Sequence, residues 1–108
     1  MVVGSPSYLS PLVRRAWDRA GIDLKGPVAA AELAAALSQA RLDGAVVDIG
    51  YDASTLLTVV ELLDMIDVPA VFASTAPDAR GGFTFSDDSG QINAIVTQLL
   101  GKHQTTLQ

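Results

Sequence analysis

The chain is expected to fold as an α/β protein, a five-stranded parallel sheet sandwiched by helices. Three observations predict this. Short apolar runs alternate with segments of helical apolar spacing along all 108 residues. Two of those runs, Ala45-Val46-Val47 and Ala70-Val71-Phe72-Ala73, are apolar at every position, as strands covered on both faces are. The breaks between segments are short and rich in Gly, Pro, Ser and Asp, the residues of turns and helix caps. The order of the strands is not fixed by these patterns.

Met1-Val2-Val3 reads as the first strand, broken by Gly4-Ser5-Pro6-Ser7. Leu9, Leu12, Val13, Ala16, Trp17 and Ala20 recur at helical spacing. Pro11 fits only the first turn of that helix, with Ser7 or Ser10 as cap, and Gly21 stops it. Residues 22–28 read as a weak second strand with Gly26-Pro27 near its end, and residues 29–42 as an alanine-rich helix with Leu33, Leu37 and Ala40 on one face. Asp43-Gly44 is a turn into the third strand, residues 45–49. Residues 54–66 form a helix that is apolar nearly all round, which marks burial on several sides or a covering partner. The fourth strand is 68–73, with Pro69 at its start, where a missing donor is tolerated. Residues 74–82 are a loop, too short for a full helix with flanking turns, and Phe83-Thr84-Phe85 is a fifth short strand. Asp87, Asp88 or Ser89 caps a last helix carrying Ile92, Ile95, Val96, Leu99 and Leu100, ended by Gly101. One domain, residues 1–101, is followed by a polar tail, 102–108, expected to fray.

Composition narrows the function. Apolar residues make up 49% of the chain and charged residues 18%, the profile of a packed domain rather than a disordered segment. There is no cysteine, which excludes disulfides, thiolate metal sites and a cysteine nucleophile. No basic start followed by a long apolar run is visible, and no stretch reaches the roughly 20 apolar residues that span a bilayer. A cytoplasmic protein without membrane contact is expected. The net charge is −5, the wrong sign for nucleic-acid binding. His103, the sole histidine, lies in the polar tail and gives no Ser-His-Asp arrangement, so the chain is not expected to be an enzyme. Asp87-Asp88 suits a helix start, where carboxylates are favoured, and Trp17 suits core packing.

The most telling residue is Asp48, a carboxylate at the carboxyl end of an apolar strand, where ligands sit in open α/β sheets. Around it, Leu42-Asp43-Gly44-Ala45-Val46-Val47-Asp48 resembles the strand that carries the phosphoacceptor aspartate of two-component response-regulator receiver domains. Val68-Pro69-Ala70-Val71-Phe72-Ala73-Ser74 resembles their fourth strand, closest to receivers with a Pro-x-Val-Phe-Ala-Thr-Gly run. Val2-Val3-Gly4-Ser5-Pro6, the helix ending Ala20-Gly21 and the strand ending Gly26-Pro27 follow in receiver order, so the likeness spans residues 1 to about 100.

The resemblance implies a flavodoxin-like sheet, with Asp48 as phosphoacceptor and Ser74 as the hydroxyl that senses the phosphoryl group. It also implies an acidic pair that binds Mg²⁺ after the first strand, where Gly4, Ser5 and Pro6 supply no carboxylate. A lysine is implied after the fifth strand, where Phe85-Ser86-Asp87-Asp88 stands; no lysine lies between Lys25 and Lys102. Arg80, the nearest cation in sequence, reads as a surface residue. Mg²⁺ wants hard oxygen ligands, and Asp48 with Asp52, four residues on, makes only a weak metal candidate. Since metal and cation offset the charge of the moving phosphoryl group, the expectation is a pseudo-receiver without resident cofactor, with Asp48 hydrogen-bonded to Ser5 or Ser74 and the fourth helix missing or shortened. Its expected partner is a histidine kinase or another signalling protein, met by Arg14, Arg15 and Arg19 on the first helix. These arginines otherwise read as a solvated face. The apolar third helix suggests a homodimer or a partner helix. Two alternatives remain: a working phosphoacceptor at Asp48, and a flavodoxin-like module holding a small anion or nucleotide at the Gly4–Ser7 turn.

Overall fold

The computed structural model describes residues 1–38, 42–75 and 83–105. Among them, four strands, β1 (Val2–Val3), β2 (Ala45–Asp48), β3 (Ala70–Ser74) and β4 (Phe83–Thr84), form one parallel sheet in the order β1-β2-β3-β4. The helices are α1 (Pro11–Arg19), α2 (Leu33–Leu37), α3 (Ala53–Met65) and α4 (Ser89–Thr105), with a 3₁₀ turn at Ala30–Glu32 leading into α2.

The sheet is covered on both faces because its strands alternate between two cores. Val2, Val46, Val71 and Ala73 pack with Ala16 and Trp17 of α1 and with Ile92 and Ile95 of α4. Val3, Ala45 and Val47 pack with Leu33 of α2 and with Val59 and Leu63 of α3. The period-two alternation of a strand sends neighbouring side chains to opposite faces, and here both faces are apolar. Parallel strands of this kind are reached by helical crossovers, which places helices on either side.

The helix starts follow capping chemistry. Ser10 caps α1 by accepting from the Val13 N–H at 3.3 Å, with Pro11 in the first turn. Asp52 caps α3 through Thr55 N–H at 2.9 Å, and Asp88 caps α4 through Gln91 N–H at 3.1 Å.

Several expectations need correction. Residues 22–28 do not form a strand: only Val28 bridges to Val3, although Val2 also donates to the Lys25 carbonyl at 2.8 Å. Gly26 has φ +107, a Cβ there would lie 2.7 Å from the Val2 carbonyl oxygen, and Pro27 brings no N–H, so the segment touches β1 without sustaining a ladder. The helix expected over 29–42 is reduced to the 3₁₀ turn and five residues of α2, and residues 39–41 lie outside the described set. Gly101 does not end α4, which runs on to Thr105. A single glycine weakens a helix by about 1 kcal/mol but does not forbid it. The expected missing or shortened helix falls on residues 76–82, outside the described residues, as does Arg80.

Candidate functional site

The carboxyl ends of β1, β2 and β3 meet the loops that lead into α1 and α3. Asp48, the last residue of β2, is half-buried and sits opposite Ala73 of β3 in register. Its Oδ1 accepts the Gly50 N–H at 2.8 Å. This two-residue bond closes a turn on the side chain itself. A Cβ on Gly50 would lie 3.1 Å from the same oxygen, so glycine lets the backbone come close. Asp48 thus meets this backbone N–H, while the Ser5 hydroxyl lies 3.1 Å from that of Ser7. Among the described residues the one ion pair is Lys25–Asp23, so no described cation pairs with Asp48.

Tyr8 fills the place beside the first strand. It is buried, and its ring lies directly over Gly4, where a Cβ would come within 2.8 Å of Tyr8 Cγ and Cδ2. The Tyr8 hydroxyl donates to the Ala73 carbonyl at 2.7 Å, next to the β2–β3 register pair that contains Asp48. The ring stacks on Phe85 with centroids 5.0 Å apart and planes 13° apart, and Phe85 in turn meets Trp17 at 5.7 Å. Such aromatic pairs add about 0.5–1.5 kcal/mol beyond the area they bury. Burial pushes the Tyr8 phenol well above its ordinary range, and the Asp48 carboxylate pushes it further the same way. Tyr8 is thus a neutral hydrogen-bond donor at physiological pH, close enough to sense the charge of Asp48.

Gly4, Ser5 and Pro6 bring no acid to this edge: Gly4 is buried under the Tyr8 ring, while Ser5 and Pro6 are exposed. Asp52 points its carboxylate to the first turn of α3, and the Thr55 hydrogen bonds hold its carboxyl below the usual carboxylate range. Ser74 ends β3 in register with Thr84, and its carbonyl accepts the Phe85 N–H at 2.8 Å. Among the described residues no three acidic or histidine side chains gather where a metal ion could be held.

The arginines of α1 separate. Arg15 and Arg19 are exposed. Arg14 is half-buried, and its guanidinium donates to the Leu24 carbonyl at 2.8 Å and to the Gly26 carbonyl. It fastens the segment beside β1 and so leaves the solvated face. Ser10, rather than the Gly4–Ser7 turn, begins α1. The backbone N–H groups of that helix start therefore lie beyond the turn that sequence spacing offered to an anion.

Sequence reasoning did not single out Tyr8. The available signal was an aromatic residue with a hydroxyl between a strand and its following helix, four positions after a glycine, since buried tyrosines seek a partner for the O–H. What the arrangement can do chemically is limited. It positions one carboxylate against a backbone donor and covers the neighbouring Gly4 with the Tyr8 ring. No family model, curated protein or solved structure matches the chain.

Proposed function

We propose that the chain is a receiver-like signalling domain that acts through protein–protein contact, with Mg²⁺-dependent phosphorylation impaired. The single observation that carries this reading is the Tyr8 ring over Gly4, held by the Ala73 carbonyl and stacked on Phe85. In the receiver reading the Mg²⁺ carboxylates belong beside Gly4 and the phosphate-pairing lysine near Phe85. Here the Tyr8 ring covers Gly4, and Ser86, Asp87 and Asp88 follow Phe85 without a cation. Phosphoryl transfer depends on preorganised positive charge at the moving group, and an aromatic wall supplies none.

The architecture supports the same reading. With the 25–28 segment taken as the outer neighbour of β1, the order becomes 2-1-3-4-5, the flavodoxin-like arrangement with its crevice at the carboxyl ends of the strands. Asp48 stands at that crevice. Retained without its metal, it serves the turn into α3. The partner in this reading is a cytoplasmic histidine kinase or other signalling protein that meets the α1 side through Arg15 and Arg19. Among the described residues no helix is long and apolar enough to cross a membrane.

Incubation with acetyl phosphate and Mg²⁺, followed by intact mass, tests the reading. The expected result is an unmodified chain, identical to Asp48→Asn. A phosphate adduct on the native chain that Asp48→Asn lacks would establish the working-phosphoacceptor reading instead.

A further inference from the structure

Two helix faces on opposite sides of the sheet carry matching stripes. α1 packs on the core built around Val2, Val46 and Val71, and α3 on the core built around Val3, Ala45 and Val47. The outward stripe of α1 holds Leu12, 61% exposed, with Arg15 and Arg19, both exposed. Positions 12, 15 and 19 fall within about 60° of one another around a helix of 3.6 residues per turn. The outward stripe of α3 holds Leu57, also 61% exposed, with Val60, Glu61 and Asp64, all exposed. These four fall within about 100°. Each stripe thus begins with a leucine and carries two like charges farther along the helix, positive on α1 and negative on α3.

The spacing along the axes matches as well. At 1.5 Å per residue, Arg15 and Arg19 lie about 4.5 and 10.5 Å past Leu12, and Glu61 and Asp64 about 6 and 10.5 Å past Leu57. With the helices of two copies aligned in one direction and the leucines in contact, Arg15 faces Glu61 and Arg19 faces Asp64. Neither helix finds this match within its own surroundings. No Lys or Arg lies between Arg41 and Arg80, the stretch that contains α3. Among the described residues the one ion pair is Lys25–Asp23, so none of these four charges is paired there. A pair of α3 helices would gather four acids at one seam, and a pair of α1 helices four arginines. One helix of each kind balances the charge, and such complementarity selects the partner face.

We propose that the chain associates with a second copy of itself head to tail, the α1 face of one copy seated on the α3 face of the other. Because the two faces lie on opposite sides of the sheet, the contact is heterologous. The pair is its first product, and one face of each kind stays free at the ends. The proposal uses no residue of the Asp48 edge and stands without the receiver reading, although a seated α1 face is closed to the signalling partner that reading assigns to it.

Sedimentation velocity of the full chain tests it. A contact between two helices is small beside the roughly 1,200–2,000 Å² of stable interfaces, so association is expected at about 0.1–1 mM. Because exposed ion pairs are screened, it weakens about tenfold between roughly 50 and 500 mM salt. Arg15→Glu/Arg19→Glu, which alters only the α1 face, and Leu57→Glu, which alters only the α3 face, each stay monomeric. Mixed in equal amounts they form a pair, since the intact α3 face of the first takes the intact α1 face of the second, and that pair does not grow. Should Leu57→Glu not fold, Val60→Glu takes its place. A native chain that stays monomeric throughout that concentration range, association of Arg15→Glu/Arg19→Glu as strong as the native chain's, or a mixture that stays monomeric overturns the proposal.

Discussion

Tyr8 connects the two halves of the Asp48 edge: its ring rests on Gly4 and its hydroxyl ties β3 to the loop before α1. Tyr8→Phe keeps the ring and removes one hydrogen bond. The Ala73 carbonyl retains the Ile49 N–H at 3.2 Å, so the loss is expected near 1 kcal/mol in urea unfolding. Gly4→Ala places a methyl group against the ring, whose atoms cannot swing aside as the end of a flexible chain can. It is expected to cost about 1–3 kcal/mol. Gly4→Ala with unchanged stability would contradict the packing described. The phenol also sets a pH dependence. Because burial raises the Tyr8 pKa in the folded state, the neutral phenol favours the fold fully below the unfolded tyrosine value of about 10. That contribution is lost as pH rises from there toward the folded value. The stability gap between the native chain and Tyr8→Phe should therefore shrink in alkaline solution, as equilibrium unfolding across that range would show.

At the scale of elements, the caps were the most readable features and the segment beside β1 the least. Ser10, Asp52 and Asp88 occupy cap positions; Ser10 stands among the two candidates, and Asp88 among the three, that side-chain chemistry and spacing offer. Residues 22–28 carry strand-like composition, yet the left-handed Gly26 and the missing donor of Pro27 leave a single bridge. Backbone chemistry there outweighs side-chain propensity. The length of α4 differs from the sequence reading for the opposite reason: Gly101 reads as a stop, but a glycine closes a helix in this way only where it takes the left-handed conformation itself, and Gly101 lies within α4. Asp52 gives a prediction that belongs to α3. Its carboxyl titrates below the ordinary value because Thr55 hydrogen-bonds the charged form. The stabilisation is complete at pH above the unfolded carboxyl value and is lost as pH falls through the lowered one. Asp52→Ala should lower the melting temperature at neutral pH, and the difference from the native chain should narrow on acidification. Asp52→Asn, a cap without charge, should keep most of the stability. A difference that does not change with pH would show that the carboxylate plays no part in the cap.

Across the whole molecule, the doubly covered sheet was legible because β2 and β3 are apolar at nearly every position, while their alternation between two cores required coordinates. Of the site, Asp48 was legible as a carboxylate at a strand end. The Tyr8–Phe85 wall was not, because the two residues lie far apart in sequence and only the fold brings them together. The outward face of α3 remains apolar, with Leu57 61% and Met65 81% exposed. Exposed apolar area of this kind favours association. The native chain is expected to sediment as a dimer and Leu57→Glu as a monomer; a native monomer at high concentration would contradict this.

Mg²⁺ with beryllofluoride, followed by amide resonances, tests the closed Asp48 edge most directly. The Tyr8 wall and the missing carboxylates predict no saturable shifts at Asp48, Gly50 or Ser74 in the native chain. Saturable shifts centred on Asp48 that vanish in Asp48→Asn would contradict it.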